Sequence, residues 1–300
     1  MGEHPGSNLV VVKGGEIIVL NDKDIQLLEF ISKTGVCTIS QAKELYGAEN
    51  KWYHYKRVER LEADRYVIKR GKYIELSSKG ADTVGQKKYY FRRNEIRESH
   101  AELAYLALQL KDFKILSNRS VREEYSLNRK THFRSVLVHE GLYYFVYLLT
   151  EAPNSWLVNG IKAELRTLAS SGIARHSIVF APTPTAMAAF GVDGCKQDQL
   201  FLLPYPSGIE LLKSHFTNPI KINAPKTRKP FADYEAESHY IAVLTLNNLA
   251  RRQALSAYFE THHTKPVVIY CLESQLELFS YQYPRAKLHR VVPEPKENTN

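Results

Sequence analysis

From residue 136 onward, short apolar runs rich in β-branched and aromatic residues alternate with stretches of helical periodicity. Runs at 136–138 and 143–149 flank Glu140-Gly141 and read as a hairpin. A helix near 156–169, a strand at 177–181, a helix near 185–190, a strand at 200–203 and a helix at 208–216 follow. Residues 219–233 are polar, with Lys221, Lys226, Arg228 and Lys229 set among Pro219, Pro225 and Pro230, as in a linker or flexible basic loop. The pattern then resumes: strand 240–246, helix 247–262, strand 266–272, helix 273–281, strand 287–292. Strands separated by helices predict an α/β fold with a mostly parallel sheet. The closing PEPKENTN predicts a disordered tail over 293–300.

The first hundred residues read differently. Asn21 or Asp22 can cap a helix with Ile25, Leu28 and Ile31 on one side and Gly35 as its stop. Ile39 and Ser40 read as staple and cap of a second short helix, with Ala42, Leu45 and Tyr46 inward and Gly47 at its end. A third helix is predicted over 50–63, with Tyr55 or His54, Val58 and Leu61 inward. Lys51, Trp52, Tyr53, Lys56, Arg57 and Arg60 fall on its outer face. Residues 66–68 and 73–76 predict a hairpin, with Lys69, Arg70, Gly71 and Lys72 at the turn. A basic connector containing Lys87, Lys88, Arg92 and Arg93 leads into a helix over 94–110. Ile96, Leu103, Leu106, Ala107, Leu108 and Leu110 are its apolar residues, and His100 sits near its interface as a structural histidine.

Charge sets this segment apart. Residues 51–97 hold 14 Lys/Arg and 6 Asp/Glu, an excess of +8, against +9 for all 300 residues. Aromatic residues are interleaved with the cations. Charge so concentrated favours a polyanionic partner, because each neutralised phosphate releases counterions. Three helices followed by a two-stranded ribbon is the winged helix-turn-helix order. In that order the third helix enters the major groove, where Lys and Arg reach guanine edges or phosphates, and the ribbon tip grips the neighbouring backbone. The fold expected is therefore α/β: an N-terminal winged helix-turn-helix followed by an α/β domain. The expected boundaries are an N-terminal extension over 1–19, the winged helix over 20–85, the connector and helix over 86–111, and the α/β domain over 112–292.

Composition and motifs narrow the functions. Apolar residues make up 44% and charged residues 24%, ordinary for a soluble globular chain, and no apolar run is long enough to span a membrane. The opening residues lack the pattern of a secretory signal, and Ser7 is a poor match to a myristoylation site. Cys37, Cys195 and Cys271 are odd in number and far apart, which predicts neither a disulfide framework nor a zinc site and suits a reducing cytoplasm. No phosphate-binding glycine loop, nucleophile elbow or HExxH occurs; Gly14-Gly15 stands alone. The adjacent His262 and His263 diverge on a helix and predict no metal pair, and Asn247-Asn248 reads as a plain helix cap. No cofactor is expected.

The layout resembles the replication-relaxation family of plasmid and mobile-element proteins. The resemblance rests on residues 20–25 (LNDKDI), 55–61 (YKRVERL), the ribbon, and 99–103 (SHAEL), and it covers about residues 20–180. It implies that a nuclease-like strand pair follows. This chain departs from that pattern: no Asp occurs between Asp112 and Asp193, Glu140 falls in a turn and Glu151 at a strand's end. Arg129, Lys130, His132 and Arg134 stand where acidic metal ligands belong. The resemblance thus implies a non-enzymatic, degenerate nuclease-like domain behind a reader of double-stranded DNA. Such a reader is expected to act as a homodimer, with the α/β domain open to a protein partner. A metal-dependent nuclease and a ligand-sensing regulator are the alternatives.

Overall fold

The computed structural model describes residues 19–47, 52–111, 113–128, 130–261 and 265–291. Lys51, Gly14-Gly15, Arg129, the His262-His263 pair, most of the N-terminal extension and the 293–300 tail lie outside the described residues. The chain is of mixed α/β class and divides into two compact units, Met1–Lys111 and Asp112–Asn300.

In the first unit, α1 (Asp22–Thr34) starts at Asn21, whose side chain accepts the Asp24 amide while the Asp24 carboxylate accepts the Asn21 amide. Such reciprocal caps satisfy two helix-end donors at once. Gly35, at φ 85, stops the helix, and a Cβ there would lie 2.6 Å from His100 Nδ1. A three-residue strand, β1 (Val36–Thr38), was too short to signal itself in the sequence. The cap of α2 (Ile39–Tyr46) is Thr38, paired reciprocally with Gln41; Ile39 and Ser40 are inside the helix. Next come α3 (Tyr53–Ala63), β2 (Val67–Arg70), β3 (Tyr73–Leu76), α4 (Ser78–Thr83) and α5 (Asn94–Gln109). β3 lies between β1 and β2, both antiparallel to it. Leu27, Leu28, Ile31, Ala42, Val58, Leu61 and Ile74 close one core beneath the helices. α5 packs on α1 and β1, and the first unit runs to Lys111. Ile96, expected inward on α5, is exposed.

The second unit runs β4 (Lys114–Ser117), α6 (Asn118–Glu124), β5 (Ser135–His139), β6 (Leu142–Leu148), α7 (Ser155–Ser170), β7 (His176–Ala181), α8 (Pro184–Phe190), β8 (Gln199–Pro204), α9 (Gly208–Thr217), β9 (Tyr234–Glu235), β10 (Tyr240–Val243), α10 (Leu249–Glu260), β11 (Val267–Leu272), α11 (Leu276–Gln282) and β12 (Lys287–Val291). In place of one mostly parallel sheet there are two mixed ones, ordered β4-β5-β6-β7-β8 and β12-β11-β10-β9. Four of their pairings are parallel and three antiparallel among the described residues. β5–β6 and β9–β10 are joined by tight connections and pair antiparallel, β4 and β5 pair antiparallel across the longer connection that carries α6, and helical crossovers supply the parallel pairs.

Asn247 and Asn248 lie where the two sheets meet. Asn248 caps α10 and also accepts the Leu200 amide of β8 at 3.2 Å. Asn247, in the left-handed region at φ 49, donates from Nδ2 to the Leu202 carbonyl at 3.0 Å. Together they cover the outer edge of β8, which an exposed sheet edge otherwise leaves open to pairing.

Candidate nucleic-acid interface

The outer face of α3 is built by helical spacing. Val58, Leu61 and His54 turn inward, and burial lowers the His54 pKa. Tyr55, one of two residues the periodicity allowed on the inner side, is exposed and lies beside exposed Trp52, ring centroids 5.6 Å apart. Lys56 and Arg60 follow Trp52 at four-residue steps and are also exposed. Arg60 reaches Asp64 only at 3.9 Å.

Two residues expected on this outer face are directed inward. Arg57 binds the buried Asp24 of α1 through both its Nε and a terminal nitrogen. Burial and the neighbouring Arg60 lower its pKa. Tyr53 is half-buried, its ring edge-on to Tyr46 at 5.8 Å and its hydroxyl accepting from Asn21 Nδ2 at 3.2 Å. Both serve the packing of α3 on α1 and α2.

The β2–β3 turn divides its cations in the same way. Gly71, at φ 62, makes the two-residue loop that pairs Arg70 with Tyr73. Arg70 is exposed at the tip. Lys69 is drawn to Glu62 of α3 at 3.6 Å, and Lys72 to Glu98 of α5 at 3.0 Å. The hydrogen bond between Lys72 and Glu98 raises the lysine pKa and lowers that of the carboxyl. In the connector, Arg92 and Arg93 are exposed, and Lys88 lies over the ring of exposed Tyr90 at 5.2 Å. Lys87 is exposed as well. Phe91 anchors the connector against His100, centroids 4.7 Å apart, and His100 Nδ1 lies 2.6 Å from the Thr34 carbonyl. The structural role expected for His100 is thus visible in its contacts.

Two further exposed residues had little signal in the sequence. Arg65 sits in the left-handed region at φ 61 in the turn between α3 and β2, where nothing in residue type announces such a backbone. Tyr55 was hidden by the ambiguity between two adjacent aromatic rings on one helical turn.

The second unit separates the carboxylates that a nuclease-like reading would need together. Glu140 lies in the turn before β6 and Glu151 beyond its end. Seven strand residues intervene, a separation of roughly 23 Å. His132 packs against Trp156, centroids 6.1 Å apart, and a Cβ at Gly160 would meet its Nε2 at 2.7 Å. The three cysteines are buried thiols, and burial raises the Cys195 pKa to about 11. Among the described residues, no helix is long and apolar enough to cross a membrane.

Comparison with protein-family models, with curated proteins and with solved structures gives no match.

Proposed function

We propose that this chain is a sequence-specific reader of double-stranded DNA, with the first unit acting as a winged helix-turn-helix. The observation that carries the reading is the outer face of α3, where Lys56 and Arg60 stand beside Trp52 and Tyr55 with no part in the core. In the proposed complex α3 enters the major groove and Arg70 at the hairpin tip meets the adjacent phosphates. Lys87, Lys88, Arg92 and Arg93 follow the backbone further along. The biological setting in this reading is a plasmid, phage or other mobile element, in replication, transfer or transcription control. The chain acts as a homodimer on a palindromic site, and the second unit supplies the contact between copies.

The test uses the full chain, fluorescently labelled duplexes and a salt series. Log affinity is expected to fall linearly with log salt. Phosphate contacts by Arg70, Lys87, Lys88, Arg92 and Arg93 give a slope of magnitude about 4 to 5. Binding that is absent at low salt, or indifferent to salt, overturns the reading. Sequencing of genomic fragments recovered with the protein then distinguishes a regulator's scattered sites from an initiator's single origin.

A further inference from the structure

The second unit contains a cleft of about 810 Å³, within the range of roughly 300–1,000 Å³ typical of small-molecule sites. His176 and Gln199, at the amino ends of β7 and β8, lie on one side. His215 and Phe216 of α9 form a second wall, and Arg251, in the first turn of α10, a third. The 226–229 segment lines the cleft as well.

That segment, part of the stretch whose composition reads as a linker or flexible basic loop, is a loop tied by backbone hydrogen bonds. The Thr227 amide donates to the Asp233 carbonyl at 2.9 Å and the Ala232 amide to the Lys229 carbonyl at 3.2 Å. Phe231 is buried beneath it, stacked on Tyr258 with centroids 4.1 Å apart. Lys226, Arg228 and Lys229 line the cleft as exposed side chains, and none makes a salt bridge with a described residue.

The acids of the cleft are already engaged. Asp233 pairs with Arg251 at 2.7 Å and accepts the Val243 amide at 2.7 Å. Asp198 faces Arg175 at 3.5 Å, and Glu140 lies 3.9 Å from His139. Two cleft residues instead carry buried polar atoms without a hydrogen-bond partner: Nδ1 of His176 and Nε of Arg251. Such orphans cost free energy unless something fills them. Arg251 also stands at the positive end of the α10 dipole, where an anion is favoured.

We propose that this cleft binds a small phosphorylated ligand of nucleotide size. Its phosphate lies between Arg251 and the Lys226, Arg228 and Lys229 turn. Its ring rests on the apolar wall of Phe216, Pro219 and Ile220, beside His176. A cleft of about 810 Å³ has the volume of a small-molecule site, so this ligand is distinct from the DNA proposed for the first unit and does not depend on it.

The test is calorimetry on the full chain with a panel of nucleoside 5′-monophosphates and diphosphates, inorganic phosphate, and adenosine as the uncharged control. Saturable binding by at least one phosphorylated probe is expected, with adenosine much weaker. An Arg228→Gln, Lys229→Gln double variant alters only exposed side chains and should fold normally, as circular dichroism will show. It should weaken that binding by at least about tenfold, whereas Lys221→Gln should leave it unchanged. Absence of binding across the panel overturns the proposal, as does binding that survives the double variant. The Lys56→Ala variant, proposed to impair DNA binding, should bind the probe normally, so the two readings can fail separately.

Discussion

Arg57 of α3 donates from Nε to Oδ1 of Asp24 at 3.1 Å, and that same carboxylate accepts the Tyr46 hydroxyl at 2.8 Å and the Asn21 amide at 3.0 Å. A fully buried acid at the start of α1 thus gathers the helix cap, α2 and α3 around one charge. Arg57→Ala leaves that charge without its counterion. Removing one partner of a buried pair costs about 3 kcal/mol. Urea unfolding should register the loss as a lower midpoint with unchanged slope. An unchanged midpoint together with lost DNA affinity would return Arg57 to the outer face.

Lys56 is the neighbour that separates folding from binding. Lys56→Ala and Arg60→Ala should leave the unfolding midpoint in place. If these side chains read bases, each should cost about 1–3 kcal/mol on the preferred duplex and relax the sequence preference. Arg70→Ala should instead weaken all duplexes similarly and reduce the salt slope by about 1. Equal losses from all three on random and selected duplexes would mean that α3 does not read sequence.

The contrast between Arg57 and Lys56 marks how far the sequence is legible. The periodicity of α3 located Val58 and Leu61 in the core, and Gly35, Gly47 and Gly71 marked three stops and turns that the structure contains. Adjacent residues on a helix differ by about 100°, so a boundary residue such as Arg57 belongs to either face until its partner is known. Asp24 lies 33 residues away in sequence, and nothing local announces the pair. The same holds for Lys69 with Glu62, and for Lys72 with Glu98. Net charge counts these cations as surface, although tertiary contacts engage them. In the second unit the strand and helix pattern was readable, but the division into two sheets was not. Two asparagines in the turn after β10 hydrogen-bond to β8, a contact that their residue types alone do not announce. The cleft, too, combines residues from 139 to 251, a separation that no motif spans.

Gly80 offers a check on the packing of the first unit. It lies in α4, where an added Cβ would clash with the Tyr66 carbonyl oxygen. Backbone cannot retreat as a flexible side chain can. Gly80→Ala should therefore cost at least about 1–3 kcal/mol through overpacking, measured as a lower thermal midpoint. Gly85→Ala is the control for strain alone: its φ is 63 and nothing lies within 4 Å of the added carbon. Its smaller loss, about 1 kcal/mol, reflects only the left-handed backbone. Equal losses at both positions would show that the Gly80 contact relaxes.

His215 makes stability depend on pH. Burial, then Arg251 and His139, lowers its pKa from 6.5 to about 4. Between those values the unfolded chain binds the proton and the folded chain does not, so unfolding takes up a proton and stability rises with pH. The contribution is fully present above about 6.5 and is lost as pH falls toward 4, at most on the order of 3 kcal/mol. His176, whose pKa burial also lowers, acts in the same sense. Asp233, whose pKa burial raises, acts in the opposite sense at the acid end, so the wild-type curve alone does not isolate His215. Denaturant unfolding of the wild type and of His215→Gln across this window resolves it. The variant, lacking the titrating ring, should lose less stability between neutral pH and pH 4 than the wild type. Parallel curves for the two proteins would mean that His215 takes up its proton in the folded state as readily as in the unfolded chain.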